Sequence, residues 1–366
     1  MRILQISSAS SFGGGERYVV DLSNSLTERG HDVYVAVRPH SPLTKFLKLS
    51  ANNIKTLPLR NALDPQSARG LARLVSEKRI DVVHAHMARD YSLAAYAARA
   101  KPKPKFIVTR HVLFPLSGFH RRTLSGANAI IAVSSAVARQ VSSQRLVPDQ
   151  KIALVPNGID VERFVRACAN FDRTSFLKSM DLPSSRLLVG SIGELRKLKR
   201  HDDLVKAARI VANKLPDAHF VIAGVDTSPS GENRKKLVDL VNQSKLEDRV
   251  HFLGWLDDAE KLLCALDVFV SASETESFGL SIAEAMASGT AVVATRTEGA
   301  QEVVDDQVTG LLVNIGNIEE LANAIVRLLE DAELRRSMGE QSRAAAKKRF
   351  TLERMVNQIE KVYLES

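Results

Sequence analysis

Two glutamates, Glu276 and Glu284, lie eight residues apart in Ser271–Gly289 and carry groups that could bind a ligand. The apolar runs Val268–Val270 and Ala291–Ala294 on either side predict buried strands. Between the strands, the residue pattern predicts a turn of small residues followed by a short helix. Parallel sheets bind their ligands at such turns, beyond the carboxyl ends of the strands.

A helix over Ser281–Ala287 is predicted to begin near Ser277–Gly279, where its first backbone N–H groups have no helical partner. These groups and the positive end of the helix dipole bind phosphate readily. Ionised carboxylates instead accept hydrogen bonds from hydroxyl groups. The combination predicts a diphosphate with a sugar on each side. On spacing alone, the commoner interpretation is a surface helix whose glutamates only complement the dipole.

Length and composition are those of a globular protein with about two or three domains. The chain has 366 residues, of which 45% are hydrophobic and 25% charged. Two cysteines, Cys168 and Cys264, argue against a disulfide framework and suggest no metal cluster. The N-terminal apolar run is too short for a signal peptide, and no run is long enough to span a membrane. We therefore expect a cytoplasmic protein.

The positive charge is concentrated in the first half of the chain. Residues 1–165 carry 24 Lys and Arg against 11 Asp and Glu, a net charge of +13, whereas residues 166–366 carry −4. This asymmetry fits a first half that meets an anionic partner, such as a membrane surface, a phosphorylated acceptor or nucleic acid. A merely solvated basic face fits it equally well.

Hydrophobic periodicity divides the chain into two halves of alternating strands and helices. In the first half, strands are predicted at Ile3–Ser7, Val33–Val37, Val82–Val83 (the third), Phe106–Thr109, Ala129–Val133 and Ile152–Val155, and helices over Glu16–Arg29 and near Ser67–Glu77. In the second half, strands are predicted at Leu187–Ile192, Phe220–Ala223, Val250–Leu253, Val268–Val270 and Val292–Ala294, and helices over Asp202–Asn213 and Ile318–Glu330. The pattern predicts an α/β fold of two doubly wound parallel-sheet domains, joined by a linker near residues 165–185.

Two further motifs in the first half exclude common cofactors. The loop Gly13–Gly15 would need a glycine at Tyr18 to complete a dinucleotide fingerprint, so no nicotinamide or flavin site is expected. Its glycines suit either a close approach of backbone to ligand or a flexible turn. His84 and His86 lack a third metal ligand and are interpreted as structural or cleft-lining residues.

Five segments in order resemble one family of enzymes. They read FGGGERYVVDLSNSLTERGHDVYV, then DVVHAHMARDYSLAAYAARA with a strand ending TRH, then VPNGIDVERF, ETESFGLSIAEAMASGTAVVAT and EVVDDQVTGLLV. Together they resemble the retaining glycosyltransferases of family 4, whose most specific signature is a Glu, seven residues and a second Glu. The resemblance covers nearly the whole chain.

The resemblance implies the GT-B fold, in which two Rossmann-like domains face each other across a cleft. Residues 1–168 would form the acceptor-binding domain, and a C-terminal helix at about 350–366 would pack back on it. Residues 169–349 would form the domain that binds a nucleotide-sugar donor. The family then implies transfer of a sugar, with retention at the anomeric carbon, from a nucleotide diphosphate sugar of the UDP or GDP type to an acceptor hydroxyl.

The resemblance also assigns residues to the donor. Backbone N–H groups at Phe278, Gly279 and Leu280, in one turn with Ser277, would hold the diphosphate, Glu276 would bind hydroxyls of the transferred sugar, and Glu284 would bind the ribose. Gly14, with Gly15 beside it, would let backbone approach the phosphate, and Gly224 and Gly254–Leu256 would flank the base. No metal or other cofactor is implied.

Three side chains complete the expected site. Lys199 matches a family lysine that contacts the diphosphate, where positive charge stabilises the leaving group. The family often places arginine directly after the glycine, but Glu194 stands there, and Arg196 is the substitute candidate. His111 matches a family histidine near the transferred sugar, although a lone histidine at a strand end is more often structural.

The acceptor and its surroundings are less defined. A glycan, a lipid-linked molecule or another hydroxyl acceptor would bind the basic half, in bacterial-type glycan, lipopolysaccharide or glycolipid assembly. Val112–Arg122 mixes apolar, aromatic and basic residues and suits the inner face of an anionic membrane, or an ordinary surface helix. The alternatives are a sugar-nucleotide epimerase of the same architecture, a phosphorylase, for which no pyridoxal lysine motif is evident, and a nucleic-acid binder, which the few aromatic residues argue against.

Overall fold

The computed structural model describes residues 1–183 and 187–366. Within them the chain forms two compact units. The first unit consists of Met1–Gly158 and Leu352–Ser366, and the second unit of Ile159–Thr351. Each unit is described by itself below. No helix in the described ranges is both long enough and apolar enough to cross a membrane.

The first unit is built on a seven-stranded parallel sheet. Its strands are β1 (Arg2–Ser7), β2 (Asp32–Val37), β3 (Ile54–Thr56), β4 (Val82–Ala85), β5 (Lys105–Arg110), β6 (Ala129–Ala132) and β7 (Ile152–Leu154), in the order 3-2-1-4-5-6-7. Its helices include α1 (Gly14–Glu28), α2 (Pro65–Lys78), α3 (Tyr91–Ala97), α4 (Phe119–Leu124) and α5 (Ser135–Ser143). The inner strands are buried along their length, as expected where helices cover both faces of a sheet.

The second unit repeats the plan. Its strands β8 (Leu187–Ile192), β9 (Ala218–Ala223), β10 (Val250–Gly254), β11 (Val268–Ser271), β12 (Ala291–Thr295) and β13 (Leu311–Val313) form a parallel sheet in the order 10-9-8-11-12-13. Its helices include α6 (Val161–Ala169), α7 (Arg173–Ser179), α8 (His201–Lys214), α9 (Glu232–Gln243), α10 (Ala259–Ala265), α11 (Leu280–Ser288), α12 (Glu298–Val303), α13 (Ile318–Glu330) and α14 (Ala332–Arg349). Val268 and Val270 pack on one side of this sheet and Phe269 on the other, as the alternation of a strand requires.

The α/β prediction of two doubly wound parallel sheets is confirmed, with two strands missed. Val82 and Val83, predicted to lie in the third strand of the first half, belong to the fourth, because β3 precedes them. Strand β13 was not predicted. Both missed strands have three residues, too few for a periodic pattern to emerge.

The predicted linker near residues 165–185 is instead largely helical. Helices α6 and α7 occupy much of it, and both pack against α10 of the second unit. Asp160 caps α6 and Asp172 caps α7, each by accepting a hydrogen bond from a backbone N–H. The second unit therefore begins at Ile159, ten residues before the boundary expected after Cys168. Ser184 and Ser185, within the predicted linker, lie outside the described residues.

The two cysteines, from which no disulfide framework was expected, form one disulfide. Cys168 on α6 and Cys264 on α10 are bonded, with their Cα atoms 5.4 Å apart. On the same pair of helices, Arg163 donates two hydrogen bonds to the Glu260 carboxylate, at 3.1 and 2.7 Å. The pairing was missed because 96 residues separate the cysteines, and only the packing of α6 on α10 brings them together.

The last helix, α15 (Leu352–Glu365), belongs to the first unit. It buries Met355, Val356, Ile359 and Tyr363 in that unit's core, on one face of the helix. The Tyr363 hydroxyl reaches Gln5 on β1 and His84 on β4, at 3.2 and 2.6 Å. Helix α15 therefore forms part of the first unit's core, together with strands that lie far from it in the sequence.

Candidate active site

Helix α11 begins at the carboxyl end of β11, as the sequence predicts. Gly279 precedes its first residue in the left-handed region, with φ of 97°, which favours glycine. The Gly279 carbonyl accepts the first helical hydrogen bond, from the Ala283 N–H at 3.0 Å. The preceding amides of the first turn therefore have no partner within the helix. The helix offers an anion these N–H groups and the positive end of its dipole.

Glu276 is held beside this helix start by two side chains. Lys199 Nζ lies 2.6 Å from Glu276 Oε1, and Ser273 Oγ donates to the same oxygen at 2.7 Å. The Glu276 side chain is 12% exposed and that of Lys199 29%. A lysine from the loop after β8 and a glutamate from the loop after β11 thus meet at neighbouring strand ends.

The loop that carries Glu276 is fixed through its backbone. Its Glu274 N–H donates to the Leu198 carbonyl at 2.8 Å, which joins the two loops. Gly299, in the first turn of α12, donates to the Glu276 carbonyl at 3.0 Å. A Cβ atom at Gly299 would lie 2.6 Å from the Glu276 oxygen, so glycine is needed for this approach. The Glu276 carboxylate is therefore presented by a braced loop.

The remaining residues of the segment have divided roles. Phe278 is buried and packs edge-on against Phe350, with ring centroids 5.6 Å apart. The buried Phe278 side chain fixes the turn in place, and the Phe278 backbone lies just before the first residue of α11. Ser277, Leu280 and Glu284 are half-buried, the last of these one turn into α11. The structure thus groups Glu276, the turn and Glu284 around one helix end.

Arg196 takes a different direction from Lys199. Its Nη1 lies 3.3 Å from Glu194 Oε2, and the side chain is 53% exposed. Glu194 also accepts a hydrogen bond from the Thr227 hydroxyl. Arg196 and Thr227 line a cavity of about 330 Å³, whose described lining does not include Lys199. Glu194, which follows Gly193 where the family often has an arginine, therefore forms an ion pair with Arg196.

The predicted base-flanking residues lie at the ends of β9 and β10. Gly224 has φ of 149°, and a Cβ atom there would lie 1.9 Å from the Gly193 carbonyl oxygen. Its N–H donates to the Gly254 carbonyl at 2.7 Å. Leu256 is half-buried in the core, whereas Trp255 beside it is 45% exposed. The backbone at these two strand ends is therefore closely packed, and the Trp255 ring is exposed beside it.

In the first unit, His111 and the glycine loop come together. A Cβ atom at Gly15 would lie 3.9 Å from His111 Cγ, an ordinary contact. Gly14 begins α1, and the Glu16 carboxylate accepts a hydrogen bond from the Gly13 N–H at 3.0 Å. The ring of Tyr18 meets the His111 ring edge-on, at 4.7 Å between centroids. His111 is therefore partly covered by the loop and α1.

A hydrogen-bonded chain behind His111 sets its tautomer. Gln5 Nε2 donates to the Tyr363 hydroxyl, so Gln5 Oε1 accepts from His86 Nε2, at 2.7 Å. A neutral His86 then has its lone pair on Nδ1, which accepts from His111 Nε2 at 3.5 Å. His111 is left with a lone pair on Nδ1, able to accept a hydrogen bond from a hydroxyl group.

Burial holds His84, His86 and His111 in the neutral state. Burial, followed by the charge of Arg110, lowers the pKa of His111 to about 3. Burial also lowers the pKa of His84 to about 3 and that of His86 well below its usual range. His84 is fully buried and His86 4% exposed, and both serve as hydrogen-bonding members of the core.

Comparison with known proteins decides the family. The model of glycosyltransferase family 4 matches residues 12–163, and that of the glycosyl transferases group 1 matches residues 172–345. A lipopolysaccharide core biosynthesis glycosyltransferase, LpsE of Rhizobium meliloti (strain 1021), is 30% identical, over 93% of this chain and 93% of its own. The chain belongs to glycosyltransferase family 4.

Other relatives of this glycosyltransferase agree. The N-acetyl-alpha-D-glucosaminyl L-malate synthase of Bacillus anthracis is 28% identical, over 97% of this chain and 94% of its own. Among solved structures, Anabaena HepE in complex with UDP-glucose is 23% identical, covers 99% of this chain and 98% of its own, and has a TM-score of 0.86. The two Rossmann-like units of this glycosyltransferase are those of the GT-B fold.

Several residues of the glycosyltransferase site were missed by sequence reasoning. Ser273 and Gly299 brace Glu276. Gln5 orients the histidine chain from β1. These residues act through contacts that no local pattern records.

Proposed function

We propose that this protein is a retaining glycosyltransferase that moves a sugar from a nucleotide diphosphate sugar to an acceptor hydroxyl. The observation that carries the proposal is the meeting of Lys199 with Glu276 at 2.6 Å, beside the open start of α11. One site thus offers a cation and backbone N–H groups for a diphosphate, and a carboxylate for sugar hydroxyls.

Each residue receives a role from its chemistry. The amides of Phe278, Gly279 and Leu280 would hold the diphosphate at the helix start. Glu276 would accept hydrogen bonds from the transferred sugar, and Glu284, further along α11, from the ribose. Gly224 and Leu256 would flank the base by backbone contacts, and the exposed Trp255 ring offers a face for stacking.

Lys199 would stabilise the leaving diphosphate. In the free protein the Lys199 ammonium forms an ion pair with Glu276. On donor binding, the ammonium would instead bind the phosphate, and Glu276 would accept hydrogen bonds from the sugar. Charge developing on the leaving group would then meet a positioned cation. We infer that this cation and the helix start serve in place of a metal ion, and that Arg196 contributes only if it leaves Glu194.

Retention would follow from attack and departure on the same face of the sugar. Glu276 is engaged by Lys199 and Ser273, which suits a hydroxyl-binding role better than a nucleophile. The donor phosphate would help to take the acceptor proton. The neutral His111 would accept a hydrogen bond from the transferred sugar, and positioning and electrostatics would supply most of the catalysis.

A donor of the UDP or GDP type is proposed. The structural relative HepE was solved with UDP-glucose, which supports a uridine nucleotide. The relative LpsE is named for lipopolysaccharide core biosynthesis, which supports a role in bacterial-type glycan, lipopolysaccharide or glycolipid assembly. The acceptor would be a hydroxyl of a glycan or a lipid-linked molecule, bound by the first unit.

A thermal-shift screen of nucleotide diphosphates and their sugars tests the donor site, because a ligand of the folded state raises its apparent stability. We expect Glu276→Ala to abolish transfer with little loss of nucleotide affinity. Glu284→Ala should weaken nucleotide binding about tenfold, by loss of a charge-assisted hydrogen bond. Glu319→Ala, an exposed change at the start of α13, is the matched control. Equal loss of nucleotide affinity in the first two variants would refute the division of roles.

The epimerase alternative is separated by product. An epimerase releases an isomerised sugar nucleotide without an acceptor, whereas a transferase releases nucleoside diphosphate in step with the glycosylated acceptor. Incubation of the purified protein with each stabilising sugar nucleotide, followed by chromatography, distinguishes the two. An isomerised sugar nucleotide in the absence of acceptor would overturn the transferase assignment.

We also infer that the first unit works at the inner, cytoplasmic face of an anionic membrane. Phe114 and Phe119 are 53% and 54% exposed, and Arg121 and Arg122 lie on the same short helix as Phe119. Exposed aromatic rings beside basic residues suit a membrane surface. Sedimentation with anionic vesicles should capture the protein, and with neutral vesicles should not. Failure to bind either kind would exclude this part of the proposal.

A further inference from the structure

A cavity of about 720 Å³ opens in the first unit beyond the ends of β1, β2 and β3. Its lining includes Ser10 after β1, Arg38 and His40 after β2, and Thr56 and Arg60 at the end of β3. The strand order 3-2-1 places these three loops side by side. The volume lies in the range of small-molecule sites, about 300–1,000 Å³. Ligands of doubly wound sheets bind at this edge.

The two arginines of the cavity are not neutralised by ion pairs. In the described parts of the chain, neither guanidinium forms an ion pair with a carboxylate. The nearby carboxylates hydrogen-bond to the backbone instead: Asp64 accepts from the Arg60 N–H at 3.1 Å, and Asp90 from the Ser8 N–H at 2.8 Å. The positive charges of Arg60 and Arg38 act on these carboxylates without direct contact. Two positive groups therefore line one cavity, each with an aspartate in its neighbourhood but, in the described residues, with no carboxylate in salt-bridge contact.

The loop that presents Arg60 is fixed in place. Leu59 precedes it with φ of 41° and is buried, and its N–H donates to Ser67 Oγ at 2.8 Å. Asp64, the cap of α2, also accepts from the N–H groups of Gln66 and Ser67. The arginine is thus carried by a braced turn, so ligand binding need not order the backbone of this loop.

We propose that this cavity binds an anionic group of the acceptor, a phosphate or a carboxylate, through Arg38 and Arg60. Arginine binds both groups with paired N–H donors, and the hydroxyls of Ser10 and Thr56 can add further hydrogen bonds. The remaining volume accommodates the hydroxyl-bearing part of the molecule. This inference rests on the proposed function, because it names the class of acceptor for that reaction. The acceptor is then a hydroxylated acid or phosphate ester.

Three compounds with one carbon skeleton test the charge requirement: glycerol, glycerate and glycerol 3-phosphate. Binding to the full chain is measured by calorimetry at low salt, where exposed charges are least screened. We expect binding of at least one anion and none of glycerol. Arg38→Gln and Arg60→Gln should each weaken that binding about tenfold or more, as loss of a charge-assisted hydrogen bond implies.

Arg73→Gln is the matched control. Arg73 lies on α2 of the same unit, is 80% exposed and is not part of the cavity lining. It should bind the anions as the unchanged protein does. Anion binding that persists in both cavity variants, or equal binding of glycerol, would overturn the proposal.

Two further arms identify the source of the anion and separate this inference from the donor site. Sedimentation with phosphatidylcholine vesicles that contain anionic phosphatidylglycerol should depend on Arg38 and Arg60 if the acceptor is a lipid headgroup, but not if it is soluble. Nucleotide-induced thermal shifts should be unchanged in both variants. If nucleotides bind and no anion does, the cavity assignment fails and the proposed function stands. If anions bind through Arg38 and Arg60 but no nucleotide binds, the anion site stands, while the proposed function fails and with it the assignment of the anion to an acceptor.

Discussion

At the scale of residues, the site depends on two groups that satisfy each other until a donor arrives. Lys199 and Glu276 are partly buried, and each is the other's ion-pair partner at 2.6 Å. An arrangement of this kind keeps both charges solvated by protein while the site is empty. In the proposed reaction, the lysine would gain an anionic phosphate as its partner, and the glutamate would gain hydroxyl donors from the sugar.

Lys199→Gln should reduce transfer about a hundredfold or more, the loss typical of a preorganised group that stabilises developing charge. Stability should change by less than about 1 kcal/mol, because the pair is partly open to water. Lys236→Gln, at an exposed position of α9, should leave transfer within about twofold. Steady-state kinetics and denaturant unfolding measure both quantities. An equal loss of activity in the two variants would contradict the role of Lys199.

The buried His84 and the half-buried His111 should make the first unit sensitive to acid. Folded His84 and His111 have a pKa of about 3, whereas the unfolded chain binds these protons near the usual value of 6.5. Between those values the unfolded state holds more protons, so stability falls as the pH decreases from about 6.5, by up to about 1.4 kcal/mol per pH unit for each histidine.

Asp90 acts in the opposite sense. Burial raises its pKa to about 6, so between about 4 and 6 the folded state holds the extra proton and gains stability as the pH falls. We expect His84→Asn to make the pH dependence of unfolding between pH 6.5 and 4.5 shallower, and Asp90→Asn to make it steeper. Denaturant unfolding at several pH values measures the slopes. Unchanged slopes in both variants would show that these groups do not titrate as stated.

At the scale of elements, the functional loops are held by glycines where backbone meets backbone. A Cβ atom added at Gly224 would lie 1.9 Å from the Gly193 carbonyl oxygen, and Gly299 contacts the loop that carries Glu276. Each contact joins the end of one strand to the next loop along the sheet. Side chains at these positions would separate the loops that the site needs together.

Gly299→Ala should displace Glu276, because the new Cβ atom would lie 2.6 Å from its carbonyl oxygen. We expect transfer to fall about tenfold or more, as misplacement of reacting groups implies. Gly126→Ala, in the first unit, is the control, since a Cβ atom there meets nothing within 4 Å. Comparison of kcat and KM for the two variants checks this. Unaltered kinetics in Gly299→Ala would mean that the loop position is unimportant.

The disulfide joins α6 to α10 and should stabilise the second unit. It closes a loop of 96 residues, and reduction should lower the free energy of unfolding by about 2–4 kcal/mol. Unfolding with and without dithiothreitol, followed by Trp255 fluorescence, measures this. The variant Cys168→Ser with Cys264→Ser should show no response to the reductant. A response in that variant would assign the effect elsewhere.

At the scale of the whole molecule, the last helix belongs to the same unit as the first strand. Helix α15 returns to the first unit, and Tyr363 bonds residues 358 and 279 positions earlier in the chain. The single tryptophan, Trp255, lies in the second unit, and all five tyrosines lie in the first. The two units can therefore be followed separately by their own aromatic signals.

Tyr363→Phe should destabilise the first unit by about 1–3 kcal/mol, because buried groups on Gln5 and His84 lose a hydrogen-bond partner. The near-ultraviolet signal of the tyrosines should report the earlier unfolding, while Trp255 fluorescence reports an unchanged second unit. If both signals shift together, the two units unfold as one and the separation into units does not hold under denaturation.

The sequence by itself determined most of the strands and the resemblance to the family. Long apolar runs and the Glu276–Glu284 spacing predicted the strands, α11 and the phosphate-binding turn, because these depend on contacts between residues close in the chain. The roles of the site residues remain predictions. Only the tertiary structure decided the Lys199–Glu276 pair, the disulfide, the Gln5–His86–His111 chain and the arginine-lined cavity. Each joins residues that are distant in sequence and adjacent only because parallel strands end at one edge of a sheet, or because packed helices meet.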